Sequence, residues 1–128
     1  MATRRDGDLA SDAVNTDLGL LRAALDALPE PILLYNDARV VFANAAAHAA
    51  LGAHKPGELI GQALETFLLP DLREVSEERR GWVLRDGVPV HNLQMKIVRN
   101  DGEVMLVAVD IRPICCDGVT VGMVTLAR

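Results

Sequence analysis

The C-terminal third of the chain constrains the fold most. In "VHNLQMKIVRNDGEVMLVAVDIRPICCDGVTVGMVTLAR" apolar and polar residues alternate, and two Asp-Gly pairs break the alternation. Alternation is the mark of a strand, because successive side chains leave a pleated backbone on opposite faces. Leu93, Met95 and Ile97 share one face against Asn92, Gln94 and Lys96. Met105, Val107, Val109 and Ile111 share a face of the next strand, with Asp110 and Arg112 behind them. Asp-Gly pairs tolerate the left-handed backbone of tight hairpins, so Asn100-Asp101-Gly102 and Asp117-Gly118 are expected to turn the chain. The result is three consecutive antiparallel strands with an apolar face that other elements must cover.

The upstream sequence supplies those elements. Residues 1–15 are polar and without periodicity, and read as a flexible leader. Over residues 16–28, Leu18, Leu21, Leu25 and Leu28 recur at helical spacing, which predicts an amphipathic helix. Pro29 and Pro31 end it, since the residue before a proline is pushed out of the helical region. "PILLYNDARVVFAN" predicts two strands joined at Asn36-Asp37. Asn44 can cap the alanine-rich helix that follows. After mixed short helical pieces, residues 71–86 predict a longer helix with Leu72, Val75, Trp82 and Val83 inward and Glu74, Glu77, Glu78, Arg79 and Arg80 wet. Gly87 closes it.

The expected architecture is therefore α+β: a five-stranded antiparallel sheet with helices packed on one face and a flanking N-terminal helix. At 128 residues, half of them hydrophobic, the chain is one domain with a real core. A net charge of -5 argues against direct nucleic-acid binding or attachment to an anionic membrane. No stretch reaches membrane-spanning length, and Arg4-Arg5 lacks the apolar core of an export signal, so a cytoplasmic location is expected. Cys115 and Cys116 are adjacent and cannot form an ordinary disulfide framework; they are expected to be buried or half-buried thiols.

Three stretches, "LPEPILLYNDARVVFANAAAHAALG", "ELIGQALETFLLPD" and the C-terminal third from Arg85, together resemble the PAS sensory domain. Asn44 stands where that family ends a strand pair before a short helix, and Glu58-Leu59-Ile60-Gly61 matches its E-L-I-G segment. Gly87 leads into the three strands, and Asp101-Gly102 matches the hairpin. The resemblance spans about residues 17–128, with residues 29–128 as the PAS domain itself. Asn44, Gly61, Gly87, Asp101 and Gly102 are its structural positions. It implies a sensory and dimerising module that passes a signal to a kinase, cyclase or DNA-binding output domain, through a linker after the last strand. The chain is accordingly read as part of a longer bacterial regulator, such as a histidine kinase of a two-component system or a transcription regulator.

Catalysis is not expected. The sequence has no glycine-rich phosphate loop, no serine nucleophile motif and no acid paired with His48, His54 or His91 at metal-ligand spacing. No metal site and no cofactor is expected. Haem-binding relatives place a histidine on the long helix, which has none here. Flavin photoreceptor relatives need a cysteine before that helix, and the first cysteine is Cys115, so a flavin photoadduct is excluded.

Two features are left for function. An aromatic-poor interior is expected to be lined by Leu34, Val41, Phe67, Leu72, Trp82, Met95, Ile97, Met105, Val107, Val109 and Met123. These residues either pack against each other or wall a pocket for a small apolar ligand oriented by Tyr35, His91, Asn92 or Thr125. The Leu18, Leu21, Leu25 and Leu28 stripe either covers its own domain or pairs two copies into a homodimer. A ligand-free dimerisation module and a small α+β hydrolase or isomerase are the competing functions.

Overall fold

The structure, a computed structural model, describes residues 18–127. The expected leader over residues 1–15 lies outside them. Helix α1 covers residues 18–27, within the stretch that the leucine spacing marks. Strands β1 (Ile32–Asn36) and β2 (Arg39–Ala43) form a hairpin, and α2 (Ala45–Ala50) follows directly. Two 3-10 turns, Leu64–Phe67 and Pro70–Leu72, lead into α3 (Arg73–Asp86). Strands β3 (Val90–Val98), β4 (Val104–Cys116) and β5 (Val119–Ala127) complete the chain. The sheet is antiparallel throughout, in the order β2-β1-β5-β4-β3.

Turn chemistry sets the registers. Asp117 and Gly118 both have positive φ (50° and 79°), as a two-residue hairpin of this twist requires. That turn fixes Cys116 opposite Val119, and so Ile111 opposite Val124 and Val109 opposite Leu126. The β1–β2 turn lies one residue later than the sequence suggested. Asp37 and Ala38 carry positive φ, while Asn36 remains in β1 opposite Arg39. A register shift after Tyr35–Val40 leaves Val41 as the extra residue of β2, which explains its exposure. Pro113 is tolerated in β4 because β3 ends at Val90, opposite Ile111, before reaching it.

Both sheet edges are partly covered. Gly61 N–H donates to Val40 O at 2.7 Å, and Val40 N–H donates to Gln62 O at 3.0 Å, so the segment after α2 lies along β2. Gly61 does this at φ 85°, a backbone region open to glycine. Leu68 bridges to Ile97 at the β3 edge. The core lies between the inner sheet face and the helical block. Leu33, Val107, Val109, Ile111, Val124 and Leu126 meet Ala47, Leu51, Leu59, Leu64, Phe67 and Val83 there. Fully buried Val83 and Leu59 each contribute roughly 1.5–3 kcal/mol.

Asn44 explains the switch from strand to helix. Its Oδ1 accepts from Ala47 N–H and Ile32 N–H, both at 2.9 Å, and its Nδ2 donates to Leu25 O at 2.8 Å and Glu30 O at 2.9 Å. One fully buried amide thus joins α1, the proline-bounded link, β1 and α2. Asp26 Oδ1 adds a bond from Ala45 N–H at 2.9 Å. Polar contacts therefore hold α1 in place, while Leu18 and Leu21 on it remain exposed, Leu25 is half-buried, and Leu28, just past its end, is exposed.

Candidate ligand cavity

A half-open cavity of about 510 Å³ lies between the inner sheet face and α3. Its floor is Leu33 of β1, Val124 and Leu126 of β5, Val109 and Ile111 of β4, and Leu93, Met95 and Ile97 of β3. Its roof is Leu51, Leu64, Phe67, Leu68, Leu69, Leu72 and Val75, with Ser76, Arg79 and Arg80 from α3. Exposed Asp71, Gln94 and Lys96 mark its mouth. A mostly apolar wall with a few polar groups, in this size range, is the ordinary composition of a small-molecule site.

The structure puts five of the expected lining residues on this wall: Phe67, Leu72, Met95, Ile97 and Val109. The others stand elsewhere. Leu34, Met123 and Thr125 occupy the opposite sheet face, because Leu34 opposes Met123 while Leu33 opposes Val124. The register fixed by Asp117-Gly118 was the available signal, and it points to Val124 and Leu126 instead. Val107 and Met105 belong to the core beside the cavity without lining it, and so does Tyr35. Val41 is 48% exposed on the shifted edge strand.

On α3 the inward stripe is Ser76, Arg80 and Val83, at spacings of four and three. Trp82 is 41% exposed, contrary to the inward reading of that helix, and Val75 reaches the cavity while 43% exposed. Helical phase outweighs residue type here, and an arginine takes an inward position. Nothing in the sequence but its spacing to Val83 could have revealed this.

His91 and Asn92 do not orient anything inside. Asn92 has φ 51° at an irregularity in β3, its N–H donates to Asp110 Oδ1 at 2.6 Å, and His91 Nδ1 lies 3.3 Å from the same oxygen on the exposed side. His48 Nδ1 pairs with Asn44 O at 3.0 Å. The residues that line the cavity include no histidine or cysteine. Cys115 and Cys116 are free and exposed at the far end of β4, which corrects the expectation of buried thiols. Among the described residues no three His, Cys, Asp or Glu side chains group as metal ligands. No helix among them is long and apolar enough to cross a membrane. The structural positions Gly87 and Gly102 have φ 67° and 88°, and Asp101 Oδ1 accepts from Glu103 N–H at 3.1 Å.

Two polar groups beside the cavity lack partners. Arg80, 6% exposed, donates from Nη1 to Ser76 Oγ at 2.9 Å, and its Nη2 is buried and unbonded. The Tyr35 hydroxyl is also buried and unbonded. Burial pushes the Tyr35 pKa from 10.0 to about 12, and the nearby Arg80 charge offsets part of that rise. Tyr35 is the sole tyrosine, so the rise in near-ultraviolet absorbance on phenolate formation reports it alone. Its phenolate is expected to form near pH 12 in the folded chain. A folded pKa above the unfolded one stabilises fully below pH 10 and is lost as pH rises towards 12, by roughly 2–3 kcal/mol. Tyr35→Phe is expected to abolish that slope in pH-dependent denaturant unfolding.

Comparison with known proteins agrees with this fold. The PAS domain family model matches residues 19–88. No curated protein matches the sequence. Among solved structures, the PAS domain of an HTR-like protein from Haloarcula marismortui is similar with a TM-score of 0.72 at 19% identity, covering 93% of this chain and 97% of that one. The E. coli DhaR(N)–DhaL complex gives 0.68 at 17% identity, covering 95% of this chain but 39% of the matched one. The PAS domain of a LuxR-family transcriptional regulator from Burkholderia thailandensis, solved in complex with ethanol, gives 0.66 at 18% identity, covering 82% and 93%. At these identities the likeness concerns the fold.

Proposed function

The chain belongs to the PAS domain family, and from that premise we propose that it is a non-catalytic sensory module of a bacterial signalling or transcription regulator. It binds a small, largely apolar molecule and passes the signal to a kinase, cyclase or DNA-binding domain in a longer protein. The observation that carries this reading is the cavity of about 510 Å³ between the sheet and α3. A ligand there touches β1, β3, β4 and β5 together with α3, so its differential affinity can favour one sheet–helix arrangement over another. The ethanol complex of the LuxR-family PAS domain supports a small-molecule role for this fold. We place the module in the cytoplasm, with no direct contact to nucleic acid or membrane.

The same module is a homodimer in this reading. Leu18 and Leu21 are 56% and 59% exposed although they form one stripe on α1, and a second copy would cover them. The competing function, dimerisation without a ligand, shares this surface.

Mass spectrometry of the natively purified chain, followed by melting and calorimetric titration against a metabolite library, tests the proposal. A true ligand at a hundred times its Kd should stabilise by about 2.7 kcal/mol and raise Tm by roughly 10 °C. Uniformly flat heats with an unmoved Tm would leave dimerisation as the function. Light scattering that finds only monomer at high micromolar concentration would remove the homodimer.

A further inference from the structure

We propose that the cavity takes a molecule with an apolar body and a single anionic head, a carboxylate, and that Arg80 binds that head. The inference rests on the sensory-pocket reading and specifies its ligand. Arg80 projects from α3 onto the cavity wall and is 6% exposed. Ser76 Oγ takes one of its terminal nitrogens, and the other is buried with no partner. Among the described residues no carboxylate forms an ion pair with it. Buried polar groups are nearly always bonded, and an unpaired buried charge is among the most costly features a fold can carry.

The surroundings point to an anion. Arg79, Arg80 and Lys96 line the cavity against one acid, Asp71, although the chain as a whole carries a net charge of -5. The Tyr35 hydroxyl, in the core beside the cavity, is a second buried donor without a partner. A guanidinium presents donors in a planar fork that fits a carboxylate, and the bond strengthens where water is excluded. Apart from Ser76 and Gln94, the remaining wall is leucine, isoleucine, valine, Phe67 and Met95, which suits an apolar body.

Calorimetry and melting of the full chain with matched probes test this: octanoate against octanol, and 4-phenylbutyrate against 4-phenylbutanol. Each acid should bind at least about tenfold tighter than its alcohol, the usual scale of a hydrogen bond to a charged group. Arg80→Met should bring the acids down to the affinity of the alcohols and leave the alcohols unchanged. Its ligand-free Tm should not fall, because an uncompensated charge has gone. Should that variant fold poorly, Arg80→Lys, which keeps the charge and loses the fork, should still weaken the acids several-fold and spare the alcohols. Alcohols binding as well as acids, or an acid preference surviving in Arg80→Met, overturns the proposal and leaves the pocket standing. Silence from all four probes overturns both.

Discussion

Asn44→Ala is expected to lower stability by about 3–5 kcal/mol, a large share of what holds a domain of this size together. The amide makes four bonds in a site with no exposure, to Ala47 N, Ile32 N, Leu25 O and Glu30 O. Losing an N-cap costs about 1 kcal/mol by itself. The larger part is the buried groups left behind, each costing roughly 1–3 kcal/mol where water cannot reach it. Asn44→Asp separates this account from simple capping. An aspartate is as good a cap, yet its second oxygen would face the Leu25 and Glu30 carbonyls, which need a donor. The two variants should therefore be similarly destabilised in urea unfolding. An Asn44→Asp protein close to the parent would show that capping alone is at stake.

Gly122→Ala should be comparably damaging, by about 3 kcal/mol or more, through overpacking. Gly122 is buried in β5 and pairs with Tyr35 of β1. A Cβ there would fall inside the van der Waals surface of Tyr35 Cε1 and Cζ, so the ring lies across the strand in the space that glycine leaves. Shrinking the ring should relieve the clash. Combining Gly122→Ala with Tyr35→Leu should cost less than the sum of the two single changes, by 1 kcal/mol or more in a double-mutant cycle. Additive losses would mean that the glycine serves backbone freedom and not the ring.

The contrast between these two sites separates what was legible in the sequence from what was not. Asn44 stood out, because an N-cap residue between β-formers and an alanine run is a local signal. Its bonds to Leu25 and Glu30 were not, since nothing local brings α1 to it. Gly122 looked like any glycine in a strand. Its meaning depends on which residue of β1 lies opposite, a matter of register across a long sequence gap.

The cavity divides in the same way. The alternation in β3 and β4 gave Met95, Ile97 and Val109, and those do reach the wall. Leu34 and Met123, which residue type alone suggests, lie on the other face. The turn at Asp117-Gly118 already contained the register that would have replaced them with Leu33 and Val124. The sequence predicts a solvated Arg80, because arginine on an amphipathic helix usually snorkels outward. Here the phase of α3 carries it inside.

By itself, then, the order of residues determined the element types, the antiparallel hairpins, the PAS architecture and the cap at Asn44. All of these arise from interactions between near neighbours along the chain, or from an ordered set of such motifs. Only the tertiary structure decided which face of each strand meets the cavity, that α1 is held by polar bonds while Leu18 and Leu21 stay exposed, and that the Arg80 guanidinium is buried in a largely apolar wall. Those outcomes depend on how distant segments stack, and burial energy is set by that stacking and not by the identity of any one side chain.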